Sequence, residues 1–205
     1  LDGMNISLSN SEEPGMSGGY KLVNSIADAV ILQYYETGKV FGKTVSREDI
    51  RRIGRIKTVY DEVLFTNPTT AVLVSRPLVK YIKSELLKSH RKLTFLCGHD
   101  SNIASLSAAL GMKMPETVDA VEHNTPVGSK IVFRKYRKDD AEFVKVDLVY
   151  ASVSQLREEK PIDAVNPPVV LPIDFEGLSR NADGYYSLED VIGRINRALS
   201  KFDSL

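Results

Sequence analysis

The sequence predicts an α/β chain, mainly helical over its first ninety residues and alternating strand and helix thereafter. Three observations carry this reading. Apolar residues recur at helical spacing in three long stretches before residue 90. The run Leu93-Thr94-Phe95-Leu96-Cys97 is short, apolar and closed by Gly98, as a strand buried on both faces would be. Two segments of strand-like composition flank the charged Lys138-Asp139-Asp140 turn and read as a hairpin.

Residues 1–19 are rich in Ser, Asn, Glu, Gly and Pro, which predicts a mobile loop or a broken-open terminus. A helix over 20–36 follows, with Leu22, Ile26, Ala29, Val30 and Gln33-Tyr34 near helical spacing before a stop at Gly38. Ser46-Arg47-Glu48-Asp49 opens a second helix with an acidic first turn, and Ile50, Ile53, Ile56, Val59, Val63 and Leu64 supply its buried stripe. Pro68 after Asn67 starts a third, running to about Ser89, which Pro77 should kink or divide. After the expected Leu93–Cys97 strand comes a helix over 101–110 and a turn at Gly111. Strands over 129–138 and 142–151, a short helix over 152–160, an edge strand at Val169-Val170-Leu171 hemmed by prolines, and a helix over 187–201 complete the chain. In that last helix Leu188, Val191, Ile192, Ile195 and Leu199 share one face. The chain thus divides into 1–19, a helical segment 20–90 and an α/β segment 91–205.

Composition narrows the classes of function. Lys+Arg and Asp+Glu both number 27, so there is no overall basic field to draw in nucleic acid, and no apolar run is long enough to predict a membrane span. The cluster Lys88 to Lys92 with Arg134 to Lys138 reads as a solvated face. The one cysteine, Cys97, has no partner for an internal disulfide and is expected to pack as a small buried hydrophobe. No His/Cys/Asp/Glu cluster has ligand spacing, so no metal and no cofactor are expected.

The chemistry concentrates at Gly98-His99-Asp100-Ser101-Asn102. In open α/β sheets, ligands bind past the carboxyl ends of strands. The first amides of a following helix lack intrahelical partners and sit at the positive end of its dipole, so they can receive an anion. A proton donor, an imidazole and an anion-friendly helix start converge there, which points to phosphate chemistry. The plainer reading is a histidine packed at a strand end beside an aspartate that caps the helix.

Four blocks in one order decide between these readings: Ile26-Ala27-Asp28-Ala29 through Leu32-Gln33-Tyr34-Tyr35-Glu36; Gly98-His99-Asp100-Ser101-Asn102-Ile103-Ala104-Ser105-Leu106; Asn124-Thr125-Pro126-Val127-Gly128 with Lys130-Ile131-Val132-Phe133; and Val149-Tyr150-Ala151-Ser152 through Gln155-Leu156-Arg157. From about Gly18 onward the chain resembles the histidine acid phosphatases, most closely the bacterial glucose-1-phosphatase and phytase branch. The resemblance implies the C-terminal part of a phosphoglycerate-mutase-like, three-layer α/β fold, with residues 20–90 as a helical cap. It also implies hydrolysis of a small phosphomonoester, a sugar phosphate or an inositol phosphate, through a phosphohistidine, in the periplasm or outside the cell.

Family members begin with an Arg-His-Gly-x-Arg-x-Pro motif that supplies the nucleophile and the phosphate clamp. These 205 residues contain none: His90 and His123 have neither an Arg before them nor a Gly after them. The chain is therefore expected to be the C-terminal half of such an enzyme, with the N-terminal half as its partner. In family terms Asp100 becomes the candidate general acid and His99 a phosphate ligand, with the amides of Ser101 and Asn102 adding to the cradle. Glu13, in Glu12-Glu13-Pro14-Gly15, lies where the family runs a loop over the substrate and could read sugar hydroxyls. Thr125-Pro126-Val127-Gly128 reads as a rigid turn, and the tyrosine pairs Tyr34-Tyr35 and Tyr185-Tyr186 as packing. The alternative is a catalytically silent module binding an anion or a protein. It gains weight because an unpaired Leu93–Cys97 edge demands cover, which a homodimer or swapped assembly could supply.

Overall fold

The structure, a computed structural model, describes residues 5–7 and 14–202. In chain order the elements are β1 (Asn5–Ser7), β2 (Gly15–Ser17), α1 (Gly19–Thr37), β3 (Lys39–Val40), β4 (Lys43–Thr44), α2 (Arg47–Leu64), α3 (Pro68–Leu87), α4 (Asp100–Leu110), β5 (Met112–Lys113), β6 (Lys130–Lys138), β7 (Ala141–Tyr150), α5 (Val153–Arg157), β8 (Val169–Pro172), β9 (Asp174–Phe175), β10 (Tyr186–Ser187) and α6 (Leu188–Phe202). They group into two compact units, each drawn from three stretches: Leu1–Leu64 with Glu116–Lys130 and Val149–Val170, and Phe65–Pro115 with Ile131–Leu148 and Leu171–Leu205.

In the first unit α1 packs on α2 and α5. Val30, Ile31 and Tyr34 of α1, Ile50 of α2, Val121 and Val153 form its buried cluster. The loop through residues 117–125 is fastened to this core by polar contacts. The phenol of Tyr35 donates to Glu122 Oε2 at 2.7 Å, Arg51 Nη1 donates to the Ala120 carbonyl at 2.7 Å, and Arg47 pairs with Asp119 at 2.6 Å. Tyr150 closes the base of the loop, its hydroxyl donating to the Val118 carbonyl while accepting the Val118 amide, both at 2.8 Å. The expected turn at Thr125–Gly128 is present: Ser129 N–H donates to the Pro126 carbonyl at 2.9 Å, and Gly128 takes the positive φ of 70° that a type II turn requires at its third position.

In the second unit α3 packs against α4 and α6. Val72, Val79, Ile82 and Leu86 of α3, Leu106 and Leu110 of α4, and Val191, Ile195 and Ala198 of α6 are all buried. The hairpin β6–β7 is the core of a four-stranded sheet in the order β10-β7-β6, with β8 also on β7. Val144, Val146 and Leu148 of β7 are fully buried, as is Asp147, which the Arg134 guanidinium pairs from β6. Buried carboxylates survive in cores when charge and hydrogen bonds compensate them. Helix α4 is tied at its far end to α6, where Arg194 Nε donates to the Leu110 carbonyl at 2.6 Å. Gly111 ends it in the left-handed conformation.

Most expected elements form within a residue or two of their predicted ends, and the tyrosine pairs pack as expected. Tyr34 and Tyr186 are buried, and Tyr185 meets Tyr136 edge-on at 5.0 Å between ring centroids. Three expectations are corrected. Residues 91–99 form no strand: no described strand pairs with them, and a strand exists through its ladder. Leu93 and Phe95 are accordingly 82% and 75% exposed, and Cys97 is exposed rather than buried. Of the two outcomes expected at Pro77, a kink or a division, division does not occur, since α3 runs through it unbroken. The missing amide frees only the carbonyl of Leu73, whose own side chain is exposed, so water can take that bond. Val59, placed in the buried stripe of α2, is exposed, because that stripe narrows to Ile50, Gly54 and Leu64. Within the opening stretch β1 pairs antiparallel with β2, Ile6 opposite Met16.

The Tyr35–Glu122 contact yields a pH-dependent prediction. Burial pushes the Glu122 carboxyl up from its ordinary range, while the Tyr35 hydrogen bond opposes that rise. An acid whose folded pKa is raised costs stability once it ionises. That cost is absent below the ordinary carboxylate range and grows as pH climbs through the folded value. Removing the phenol in Tyr35→Phe enlarges the cost, so urea unfolding should show a loss of about 1.5–3 kcal/mol at pH 7 and a clearly smaller one near pH 4, where Glu122 is protonated. An equal loss at both values would mean that Tyr35 acts through packing alone.

Candidate active site at the start of the fourth helix

The site is built by the chain's entry into α4. Residues 88–99 connect the end of α3 to the start of α4 without regular structure. His99 is the residue before the helix, in an extended conformation, and Asp100 is the first helical residue. Asn102 reaches backward so that its Oδ1 accepts the His99 amide at 2.8 Å. The Asn102 amide in turn donates to the His99 carbonyl at 3.0 Å, so His99 is clasped at both backbone groups. A Cβ on Gly98 would stand 2.6 Å from Asn102 Oδ1, so any larger residue there would displace that carboxamide. The sequence pointed to this stretch as a capped helix start, but it placed the helix at Ser101 and gave Asn102 no role in holding His99.

Of the expected site residues, the structure brings together His99, Asp100, Ser101 and Asn102; Glu13 lies outside the described residues. The His99 side chain is exposed, Asp100 half-buried and Ser101 buried. Asp100 Oδ1 accepts the amide of its neighbour Ser101 at 2.9 Å. The two amides expected to cradle an anion are thus engaged within the turn itself, one by Asp100 and one by the His99 carbonyl. The remaining histidines sit elsewhere: His90 is exposed beyond α3, and His123 Nδ1 lies 3.3 Å from Arg51 Nη2. Because a guanidinium only donates, that ring nitrogen accepts, and the ring proton sits on Nε2. Among the described residues no three His, Cys, Asp or Glu side chains are grouped to hold a metal ion, and no helix is long and apolar enough to cross a membrane.

His99 and Asp100 thus open a helix that packs on α3 and α6, in a chain of mixed helices and sheet. The chain belongs to the histidine phosphatase superfamily (branch 2), whose family model matches residues 27–149. It is 34% identical over 200 residues to a glucose-1-phosphatase of Providencia rettgeri, covering 93% of this chain and 48% of that protein. It is 35% identical over 196 residues to the Salmonella typhimurium glucose-1-phosphatase, with 91% and 47% covered. The chain therefore spans about half the length of these curated relatives. Among solved structures, the phytase of Citrobacter braakii superposes with a TM-score of 0.83 at 20% identity, over 96% of this chain and 53% of that one. The Hafnia alvei phytase in complex with myo-inositol hexakis sulphate gives 0.81 at 21% identity, over 96% and 52%. The expected histidine-phosphatase fold is thereby shown.

The Asn102–His99 clasp carries its own prediction. Asn102→Ala leaves the His99 amide without its acceptor and should cost about 1 kcal/mol, the usual worth of a helix cap, read from urea or thermal unfolding. Gly98→Ala should cost a comparable amount by displacing the Asn102 carboxamide. Because both act on one contact, the double variant should cost little more than either alone, and full additivity would show the two residues to be independent.

Proposed function

We propose that this chain is the proton-donating portion of a histidine acid phosphatase that hydrolyses a small phosphomonoester, a sugar phosphate such as glucose 1-phosphate or an inositol phosphate. The observation that carries the reading is the clasped His99-Asp100 turn at the start of α4, in a chain belonging to the histidine phosphatase superfamily. The nucleophilic histidine and the arginines that hold the phosphoryl oxygens belong to the part of the enzyme these residues do not span. The nucleophile attacks phosphorus, the bond from phosphorus to the leaving oxygen breaks, and Asp100 delivers its proton to that oxygen. Water then attacks the phosphohistidine, its proton passes to the Asp100 carboxylate, and the phosphorus–nitrogen bond breaks.

The local geometry gives His99 and Asp100 separate tasks. His99, exposed and held at both backbone groups, presents its ring as a donor to a phosphoryl oxygen. A phosphoryl oxygen that takes the Ser101 amide displaces Asp100 Oδ1 from it, freeing that oxygen to serve the leaving group. To act as acid Asp100 must hold a proton, and an adjacent dianionic phosphate favours that. A periplasmic or secreted location, and Glu13 as a reader of substrate hydroxyls, remain part of this proposal on the strength of the family resemblance.

A second reading has its own observation. Leu93, Phe95 and Leu96 stand exposed together, an apolar strand sequence without a ladder. A silent interaction module would use that segment to pair with a partner chain or a second copy. Turnover separates the readings. The isolated chain should show no hydrolysis of a chromogenic phosphomonoester, whereas joined to an N-terminal half bearing Arg-His-Gly it should become active, and Asp100→Asn should then lower kcat by about 10²–10⁴. Robust turnover by the isolated chain would sink the first reading, and an inactive joined protein would favour the second.

A further inference from the structure

In the connection that delivers His99 and Asp100 to the site, residues 88–99, only Lys88 and Thr94 are not exposed. One carboxylate, Glu85, holds both. Lys88 Nζ pairs with its Oε1, and the Thr94 hydroxyl donates to its Oε2 at 2.5 Å. Arg91 Nε stands 3.7 Å from the same Oε2. Lys135 of β6 adds a tie from the other side, donating from Nζ to the Lys88 carbonyl at 3.3 Å. The Glu85 side chain is 10% exposed and sits on the last turn of α3, the helix against which α4 packs.

We propose that Glu85 is a positioning residue for the His99-Asp100 turn, fixing through Thr94 where the connecting segment enters the fourth helix. Four residues, 95–98, separate the Thr94 anchor from the His99 anchor made by Asn102, so the stretch between them is held at both ends. Without the first anchor, the segment from Lys88 to His99 would be tethered only at its extremities. A loop of that length with a free middle samples many conformations at little cost. Lys88 first and then Thr94 hold the Glu85 carboxyl's pKa down to about 2, so the clamp keeps its charge at mildly acidic pH.

The inference rests on the reading of Asp100 as the acid, and its test has two arms so that the failures can be told apart. Backbone ¹⁵N relaxation of this chain, without substrate, should give order parameters near about 0.85 at residues 95–99, falling below about 0.6 in Thr94→Val and in Glu85→Ala while α3 and α4 keep theirs. Thr94→Ser, which retains the donor, should restore the parent values. A parent segment already below about 0.6, no change in Thr94→Val, or an equal loss across both helices would overturn the proposal. In the joined, active protein Thr94→Val should lower kcat about tenfold and leave KM nearly unchanged, as misplacement of a group acting in the transition state does. An unchanged kcat, with Asp100→Asn still impaired, would overturn the positioning role. Loss of order in Thr94→Val with no effect of Asp100→Asn would instead refute the reading of Asp100.

Discussion

A backbone amide or carbonyl must be paired with protein or left to water, and that constraint decides which parts of this chain take regular form. Helices meet it within themselves, which is why α1, α2, α3 and α6 form close to where apolar spacing places them. The β6–β7 hairpin meets it through a neighbour only a turn away. Residues 91–99 cannot meet it locally: their composition is that of an inner strand, but a lone strand leaves every amide unpaired. Their apolar side chains are exposed for the same reason, since a strand that has no ladder has no layer to bury itself in.

The start of α4 escapes this difficulty by a different device. Its backbone is satisfied by side chains that look back along the chain: Asn102 to the His99 amide and Asp100 to the Ser101 amide. Both contacts span three residues or fewer, so they form whenever α4 forms, and α4 is held in turn by α3, α6 and the Arg194 contact at its far end. The backbone contacts that close the His-Asp turn are therefore tied to a packed helix, while the Glu85–Thr94 contact bears on where the preceding segment arrives. This separates the ordering of the turn from the pairing of Leu93–Cys97.

Much of this was legible in the sequence because the relevant signals are local. Asn67-Pro68 marked the start of α3 and Gly111 the end of α4, each through contacts within four residues. The His-Asp turn was legible for the same reason, and the four ordered blocks tied it to a family. The misreadings involve distant partners. Cys97 and Phe95 look buried because their chemistry is that of a core, and burial depends on what lies across the sheet. Glu85 gave no signal, since nothing in Ser84-Glu85-Leu86 announces a residue that will meet Thr94 nine positions on. Nor did Glu122, whose partner Tyr35 lies 87 residues earlier.

Three carboxylates show how one functional group is turned to different ends by its surroundings. Glu85 is surrounded by Lys88, Arg91 and a hydroxyl donor, so it stays charged and serves as a fixed anchor. Glu122 is buried with a phenol as its donor; its proton is favoured by burial and disfavoured by that hydrogen bond, which links its state to pH and to the integrity of the loop it holds. Asp100 is half-buried at a helix start, with one oxygen on a backbone amide. In the proposed reaction an incoming anion would take that amide and release the Asp100 oxygen from it. A general acid needs both protonation states within reach, which a permanently charged anchor such as Glu85 does not offer.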